Sequence, residues 1–362
     1  MQPPFPIYRW GRDNAEIARL VRLGPSRLQL ILKTRNEVQL LEKWLEHHCA
    51  LIDEEARIIV LDHMSTEEAV FDIYGRFAER LILVRYDGHV DSAHSLARFR
   101  ELYRALWASS AFYALLDTDE FLYMFDGLKL VKDKRLLSYL QAHAGAVFFP
   151  SLRLDNLLGR DDAFAFSAGK ARHLHLCGKP VISSAMAEKR LKNPVGHNFD
   201  LPVGLFENTP LALVLLHLTT WPMARRIRAN MQKLANFGVI EHEKDFQAVM
   251  RLKTDSLGPE HIRDYVHEVR LLADAEAAER AAASAMREEH VLFSASGKPG
   301  FFPENLKEIF RKHVNAGTDF LAALGIERQS LGQADQSLDA ALKKLESAAQ
   351  RGVATLQFPP GP

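Results

Sequence analysis

Four short apolar runs, at residues 28–32, 57–61, 81–84 and 112–116, alternate with amphipathic stretches, and this alternation constrains the fold more than any other feature of the chain. Short runs without internal polar alternation read as strands buried on both faces, and the amphipathic segments between them as crossover helices. Together they predict βαβ units around a mainly parallel sheet. Val38, Leu41, Leu45 and Ile52 recur at three-, four- and seven-residue intervals, which places them on one face of a first helix. Ser65 and Glu68 have the spacing of a capping box and predict the start of a second helix carrying Val70, Ile73, Tyr74 and Phe77. A third helix is expected to start near Asp91 or Ser92 and to turn Leu96, Phe99, Tyr103, Leu106 and Trp107 toward the sheet.

Residues 147–218 break their apolar runs with glycine and Asn-Pro turn signals and read as an antiparallel extension of the sheet plus loops. The run at 211–218 is a buried strand, far shorter than the roughly 20 residues that cross a bilayer. Residues 225–237 look helical, with Ile227, Met231 and Leu234 inward. Beyond about residue 255 the composition shifts to Ala, Glu, Arg and Lys, and helices are expected at 269–289, 304–324 and 337–349. The resulting division is an N-terminal extension at 1–27, an α/β domain at 28–250, a helical region at 251–352 and a disordered tail at 353–362.

Forty-seven per cent hydrophobic residues suffice for a large core. Lys+Arg and Asp+Glu balance at 46 each, so the chain offers no net field for nucleic acid or an anionic membrane, and any bound phosphate must be met by local groups. Cys49 and Cys177 are far apart in sequence and in no ligand spacing, which fits reduced thiols in the cytoplasm. The first ten residues lack a secretory signal pattern. A cytoplasmic location follows as an expectation, with peripheral attachment to the inner membrane left open.

The chemistry is concentrated in Asp117-Thr118-Asp119-Glu120, directly after the apolar run at 112–116. Acids there lie at the carboxyl end of a buried strand, where open α/β sheets bind their ligands. Three neighbouring carboxylates repel unless a cation is present. Mg²⁺ or Mn²⁺ suits such oxygen ligands and can share its remaining positions with diphosphate oxygens, stabilising the charge that a departing nucleoside diphosphate acquires. The plain alternative is a polar turn capping a helix, because Asp-x-Asp alone is common.

Three segments in order resemble the bacterial family-2-like glycosyltransferases of the GT-A fold, including relatives of family 92. They are Lys33-Thr34-Arg35-Asn36-Glu37 leading to Trp44-Leu45-Glu46-His47-His48, then Leu61-Asp62-His63-Met64-Ser65-Thr66, then Leu116-Asp117-Thr118-Asp119-Glu120-Phe121. The resemblance covers roughly residues 28–233. It implies a mostly parallel nucleotide-binding sheet flanked by helices, with the helical C-terminal region as an extension. It also implies a nucleotide-diphospho-sugar donor and a carbohydrate or glycolipid acceptor. On that resemblance Glu37 and Asp62 face the nucleotide while Asp117 and Asp119 hold the metal and diphosphate. Glu67 stands where the family has Asp, and His63-Met64 replaces a small polar pair, so the nucleotide stays open. Gly178-Lys179-Pro180-Val181-Ile182 with Gly196-His197, and Leu216-His217-Leu218 through Lys233, are shorter matches.

Lys33, Lys179, Lys233 and Arg225 could neutralise phosphate, and His217 could complete the metal site with Asp117 and Asp119, although a histidine beside apolar residues is more often a core residue. Glu120 and Asp155 are the candidate catalytic carboxylates, with Glu188 a third by position. His47 and His48 point about a hundred degrees apart on a helix and read as structural. His173 and His175 share a strand face and read as polar surface. A sugar nucleotidyltransferase is disfavoured because residues 32–36 hold no glycine to cradle phosphate. A non-catalytic carbohydrate-binding or scaffold protein remains the alternative from another class.

Overall fold

The computed structural model describes residues 5–88, 90–126, 130–156, 163–167, 178–190, 197, 212–221, 223–254, 257, 260–274 and 290–294. The chain opens with β1 (Tyr8–Arg9) and α1 (Asn14–Leu23), then runs through β2 (Ser26–Thr34), α2 (Leu41–Cys49), β3 (Ile58–Asp62), α3 (Glu68–Arg76), β4 (Leu81–Arg85), α4 (Leu96–Ser109) and β5 (Ser110–Asp117). It continues with β6 (Glu120–Phe125), β7 (Leu130–Val131), α5 (Arg135–Ala142), β8 (Phe148–Phe149), β9 (Ser151–Asn156), β10 (Ala163–Ser167), β11 (Val181–Ser183), α6 (Ser184–Arg190) and β12 (Leu213–His217). The described chain ends with α7 (Met223–Asn236), α8 (Phe246–Arg251), α9 (Glu260–Ala273) and β13 (His290–Ser294).

The four expected strands form a parallel core. The first sheet has the order β1-β4-β3-β2-β5-β11-β8, parallel from β1 to β5 and closed by antiparallel β11 and β8. Burial on both faces removes the alternation that a one-sided sheet would show, and Ile58, Ile59, Val60 and Leu61 are all inaccessible. The protein is therefore a mixed α/β chain whose central sheet is mainly parallel and flanked by helices.

β8 and β11 supply the expected antiparallel extension of that sheet, and the other strands of residues 147–218 join a second sheet, β13-β10-β9-β12-β6-β7, in which β12 runs parallel to β9 and antiparallel to β6. The chain passes from the first sheet to the second directly between β5 and β6. The Asp117–Glu120 turn is that crossing point.

The first 27 residues contribute an edge strand and a helix to the main core, where Ile17, Ala18 and Val21 are buried. A second apolar cluster gathers Met231, Leu234, Ile240, Val249, Ile262, Val266 and Val269 from α7, α8, α9 and the segment between α7 and α8, across the expected boundary at 250/251. Among the described residues no helix is long and apolar enough to cross a membrane. His173, His175 and Cys177, the helices expected at 304–324 and 337–349, and the tail lie outside the described residues, as does most of the helix expected at 269–289.

Two local expectations change. Val38 is 38% exposed in the loop before α2, so the inward face of that helix is Leu41, Trp44, Leu45, His47 and His48. The Ser65/Glu68 capping box does not form. Asn36 reaches across from the β2–α2 loop, its side-chain oxygen accepting from the Thr66 and Glu67 amides at 2.7 and 3.2 Å, while the Asn36 amide donates to the Ser65 hydroxyl at 2.8 Å. Asn36 adopts φ 48°, the left-handed region that Asn tolerates among L residues.

Candidate functional site

Parallel register alone gathers the first residues of the site. Lys33 pairs across β2 and β5 with Asp117, Thr34 pairs across β2 and β3 with Asp62, and Asp62 with Arg85, so all lie at the carboxyl edge of the sheet. The second sheet adds the rest, because β12 ends at His217 with Glu120 opposite on one side and Asp155 on the other.

The turn is held rigidly from behind by α2. In β6 the odd-numbered backbone groups face β12, so the even-numbered ones before β7 need other partners. Three α2 side chains supply them. The Trp44 indole donates to the Glu120 carbonyl at 2.8 Å, the His47 Nε2–H to the Leu122 carbonyl at 2.7 Å, and the Leu122 amide donates to His48 Nε2 at 3.3 Å. His48 Nδ1 in turn donates to the Trp44 carbonyl at 2.9 Å, so both ring nitrogens are used and the ring is neutral. Burial pushes the His47 pKa down to about 4 and that of His48 well below its ordinary value. The structural assignment of His47 and His48 holds, and the Trp-x-x-His-His spacing follows from the alternation of β6.

Asp117 lies between two lysines. Its Oδ1 is 3.3 Å from the Lys33 ammonium and its Oδ2 3.0 Å from that of Lys179, a lysine with only 1% of its side chain exposed. Burial alone would raise the Asp117 pKa, but Lys179 and Lys33 outweigh it and hold the carboxyl far below its usual range. Glu120 accepts the Asp117 amide at 2.8 Å and lies 3.5 Å from Lys179. Its side chain is 2% exposed, and burial lifts its pKa to about 7. Its carboxylate faces the turn's own backbone and a buried lysine.

Asp119 faces the other way. Its Oδ1 is 3.5 Å from His217 Nε2 and its Oδ2 3.1 Å from the Arg225 guanidinium, which also bonds Glu37. Burial would raise the Asp119 pKa, yet Arg225 and His217 together keep it well below normal. Glu37 spends its other oxygen on the Gln39 and Leu40 amides at 3.1 and 3.2 Å, just before α2. Glu37 therefore bridges the entry to α2 and Arg225.

Asp155 lies beside the same imidazole. Its Oδ1 accepts from Arg153 at 2.6 and 2.8 Å and from His217 Nδ1 at 3.1 Å, and its pKa falls to about 2, burial raising it less than these bonds lower it. Asp62 is wholly buried, with one oxygen on the Ser65 amide at 2.8 Å and the other on the Tyr74 hydroxyl at 2.9 Å. It ties β3 to α3.

Lys233 lies on α7 with its ammonium 4.8 Å from the Tyr265 ring centre, and burial lowers its pKa, with Asp119 and Asp117 among the charges acting against that. The exposed Glu188 lies on α6. Arg153 and the Asn36 clamp were missed by sequence reasoning. The Arg153-x-Asp155 alternation on one strand face was the available signal for the first.

Two of the three expected metal ligands fit together. Asp119 Oδ1 and His217 Nε2 are separated by about the span of two adjacent ligands of one divalent ion, and ions of this kind are commonly held by one or two protein groups plus substrate phosphates. Asp117, the third, has its two oxygens beside the Lys33 and Lys179 ammonium groups. Among the described residues no cluster of three or more His, Cys, Asp or Glu side chains forms a metal cage.

No family model and no curated protein matches the sequence. Solved structures share a remote likeness. TarS 1–349 of S. aureus matches at 12% identity and a TM-score of 0.35 over 76% of this chain and 98% of that one. The mannosyltransferase PcManGT from Pyrobaculum calidifontis, in complex with GDP-Man and Mn²⁺, matches at 16% identity and 0.33 over 75% and 82%. GalNAc-T7 with UDP, GalNAc and Mn²⁺ matches at 11% and 0.35 over 71% and 57%. Likeness at this level assigns no activity, and the functional argument rests on the chain's own residues.

Proposed function

We propose that this chain is a glycosyltransferase of GT-A type that moves a sugar from a nucleotide-diphospho-sugar to a carbohydrate or glycolipid acceptor. The observation that carries the reading is the convergence at the Asp117–Glu120 turn. Two carboxylates, an imidazole and three cationic side chains meet where a parallel sheet ends and a second sheet begins. That chemistry suits a diphosphate-bearing ligand, which needs positive charge to bind, from cationic side chains and from a divalent cation that a fixed carboxylate would hold.

The residues divide into holders and contacts. Lys179, Glu120 and α2 fix the turn, and Glu37 fixes Arg225. Lys33 and Arg225, with side chains 14% and 13% exposed, stand at the rim where phosphate oxygens would arrive, and Lys233 adds charge from α7. Asp119 and His217 would hold Mn²⁺ or Mg²⁺, with the imidazole favouring Mn²⁺. Bound there, a divalent cation supplies neutralisation of the charge on the departing diphosphate. Asp117 keeps Lys33 in place beside it.

The test is release of nucleoside diphosphate from UDP-, GDP- and dTDP-sugars in the presence of Mn²⁺. Release from one donor class supports the reading. Donor binding without release from any class points instead to a carbohydrate-binding or scaffold protein.

A further inference from the structure

We propose that Asp155 is a positioning residue for His217, and that through it Asp155 sets the affinity of the Asp119/His217 pair for a divalent cation. The inference rests on the functional reading above. It replaces the role of general base that position in the sequence suggested for Asp155.

Strand register brings the two residues together. His217, the last residue of β12, pairs directly with Asp155 of parallel β9, and the next amide, that of Leu218, donates to the Asp119 carbonyl at 2.8 Å. The imidazole therefore stands between two carboxylates on fixed backbone. Its Nδ1 is 3.1 Å from Asp155 Oδ1 and its Nε2 3.5 Å from Asp119 Oδ1, so the two nitrogens have different tasks. With Nδ1–H committed to Asp155, Nε2 is the nitrogen that would exchange its proton for a cation shared with Asp119, which gives the tautomer a metal ligand requires.

Asp155 is itself immobilised. Arg153, two residues earlier on the same strand face, places its Nε and Nη2 at 2.8 and 2.6 Å from the same Oδ1. The Arg153, Asp155 and His217 series fixes the ring plane before any cation arrives. Loss of an outer carboxylate of this kind weakens metal binding by about ten- to a hundredfold in other metal sites.

The experiment titrates Mn²⁺ alone into the full chain at fixed pH, reading free Mn²⁺ by electron paramagnetic resonance, with a thermal melt of every sample. Four chains are compared: wild type, Asp155→Ala, Asp155→Asn and His217→Ala. The expected result is a Kd for Mn²⁺ raised about tenfold or more by Asp155→Ala and less by Asp155→Asn, whose amide oxygen still accepts from Nδ1–H. If Asp155→Ala does not fold, the Asp155→Asn shift carries the test. His217→Ala weakening Mn²⁺ while neither Asp155 variant does overturns the positioning role alone and makes Asp155 only a partner of Arg153. A wild type that leaves Mn²⁺ free, or an unchanged Kd in His217→Ala, overturns the metal pair and this inference with it.

Discussion

Replacing Lys179 with methionine removes the cation that the turn is built around. Lys179 has 1% of its side chain exposed and sits 3.0 Å from Asp117 and 3.5 Å from Glu120, so the change leaves two carboxylates without their nearest charge partner. Breaking a buried pair by deleting one member costs about 3–5 kcal/mol, and Asp117, whose side chain is 31% exposed and keeps Lys33, places the expected loss toward the lower end. The loss should grow with pH. Burial already raises Glu120 to about 7, and without Lys179 it rises further, so the folded chain holds a proton that the unfolded chain has lost over a wider pH range and the loss of stability grows from pH 5.5 to 8. Urea unfolding of wild type and Lys179→Met at pH 5.5 and 8 measures both effects, with Glu120→Gln and the double variant completing a cycle. The double variant should recover part of the loss at pH 8. A loss under about 1 kcal/mol at both pH values, with additive singles, refutes the account of the turn.

Two further outcomes follow from the structure. His47 folds with its pKa near 4, below its ordinary 6.5, so the unfolded chain binds more protons between those values and stability falls as pH drops through that window. His47 alone contributes about 3 kcal/mol to that fall, and His47→Gln, which keeps a donor for the Leu122 carbonyl, should flatten the pH dependence of the urea midpoint. Asp62→Ala should lower stability by about 3 kcal/mol, since it strips partners from the Ser65 amide, the Tyr74 hydroxyl and the Arg85 guanidinium, which lies 3.5 Å away. A normal melting temperature together with weakened donor binding would return Asp62 to the nucleotide.

The parallel core was legible because buried strands and amphipathic helices have different periods, and β2, β3, β4 and β5 fell on the four apolar runs. The acidic turn was legible for the same reason, since a strand end fixes where its next residues stand. The second sheet was not, because β12 pairs with β9 across some sixty residues and no local pattern encodes a parallel partner that distant. Charge partners were hidden in the same way. Neighbouring acids at a strand end need compensating charge. The fold brings Lys179 from before β11 and Arg225 from α7 to Asp117 and Asp119, so part of that charge is carried by the chain itself. Asp62 was placed at the nucleotide by the resemblance of residues 61–66 alone, which carries no sign that Tyr74 of α3 bonds its second oxygen.

The most direct test of the central claim is equilibrium binding of nucleoside diphosphates by calorimetry in Mn²⁺, comparing wild type with Asp119→Asn. The substitution removes the charge that meets His217 and Arg225 but keeps the side chain's size. The account predicts that wild type binds UDP, GDP or dTDP and that Asp119→Asn, folded but with a lowered melting temperature from its lost pairing with Arg225 and His217, binds at least about tenfold more weakly. Wild-type affinity in Asp119→Asn, or no binding of any nucleoside diphosphate by the native chain, would contradict a nucleotide-sugar site at this turn.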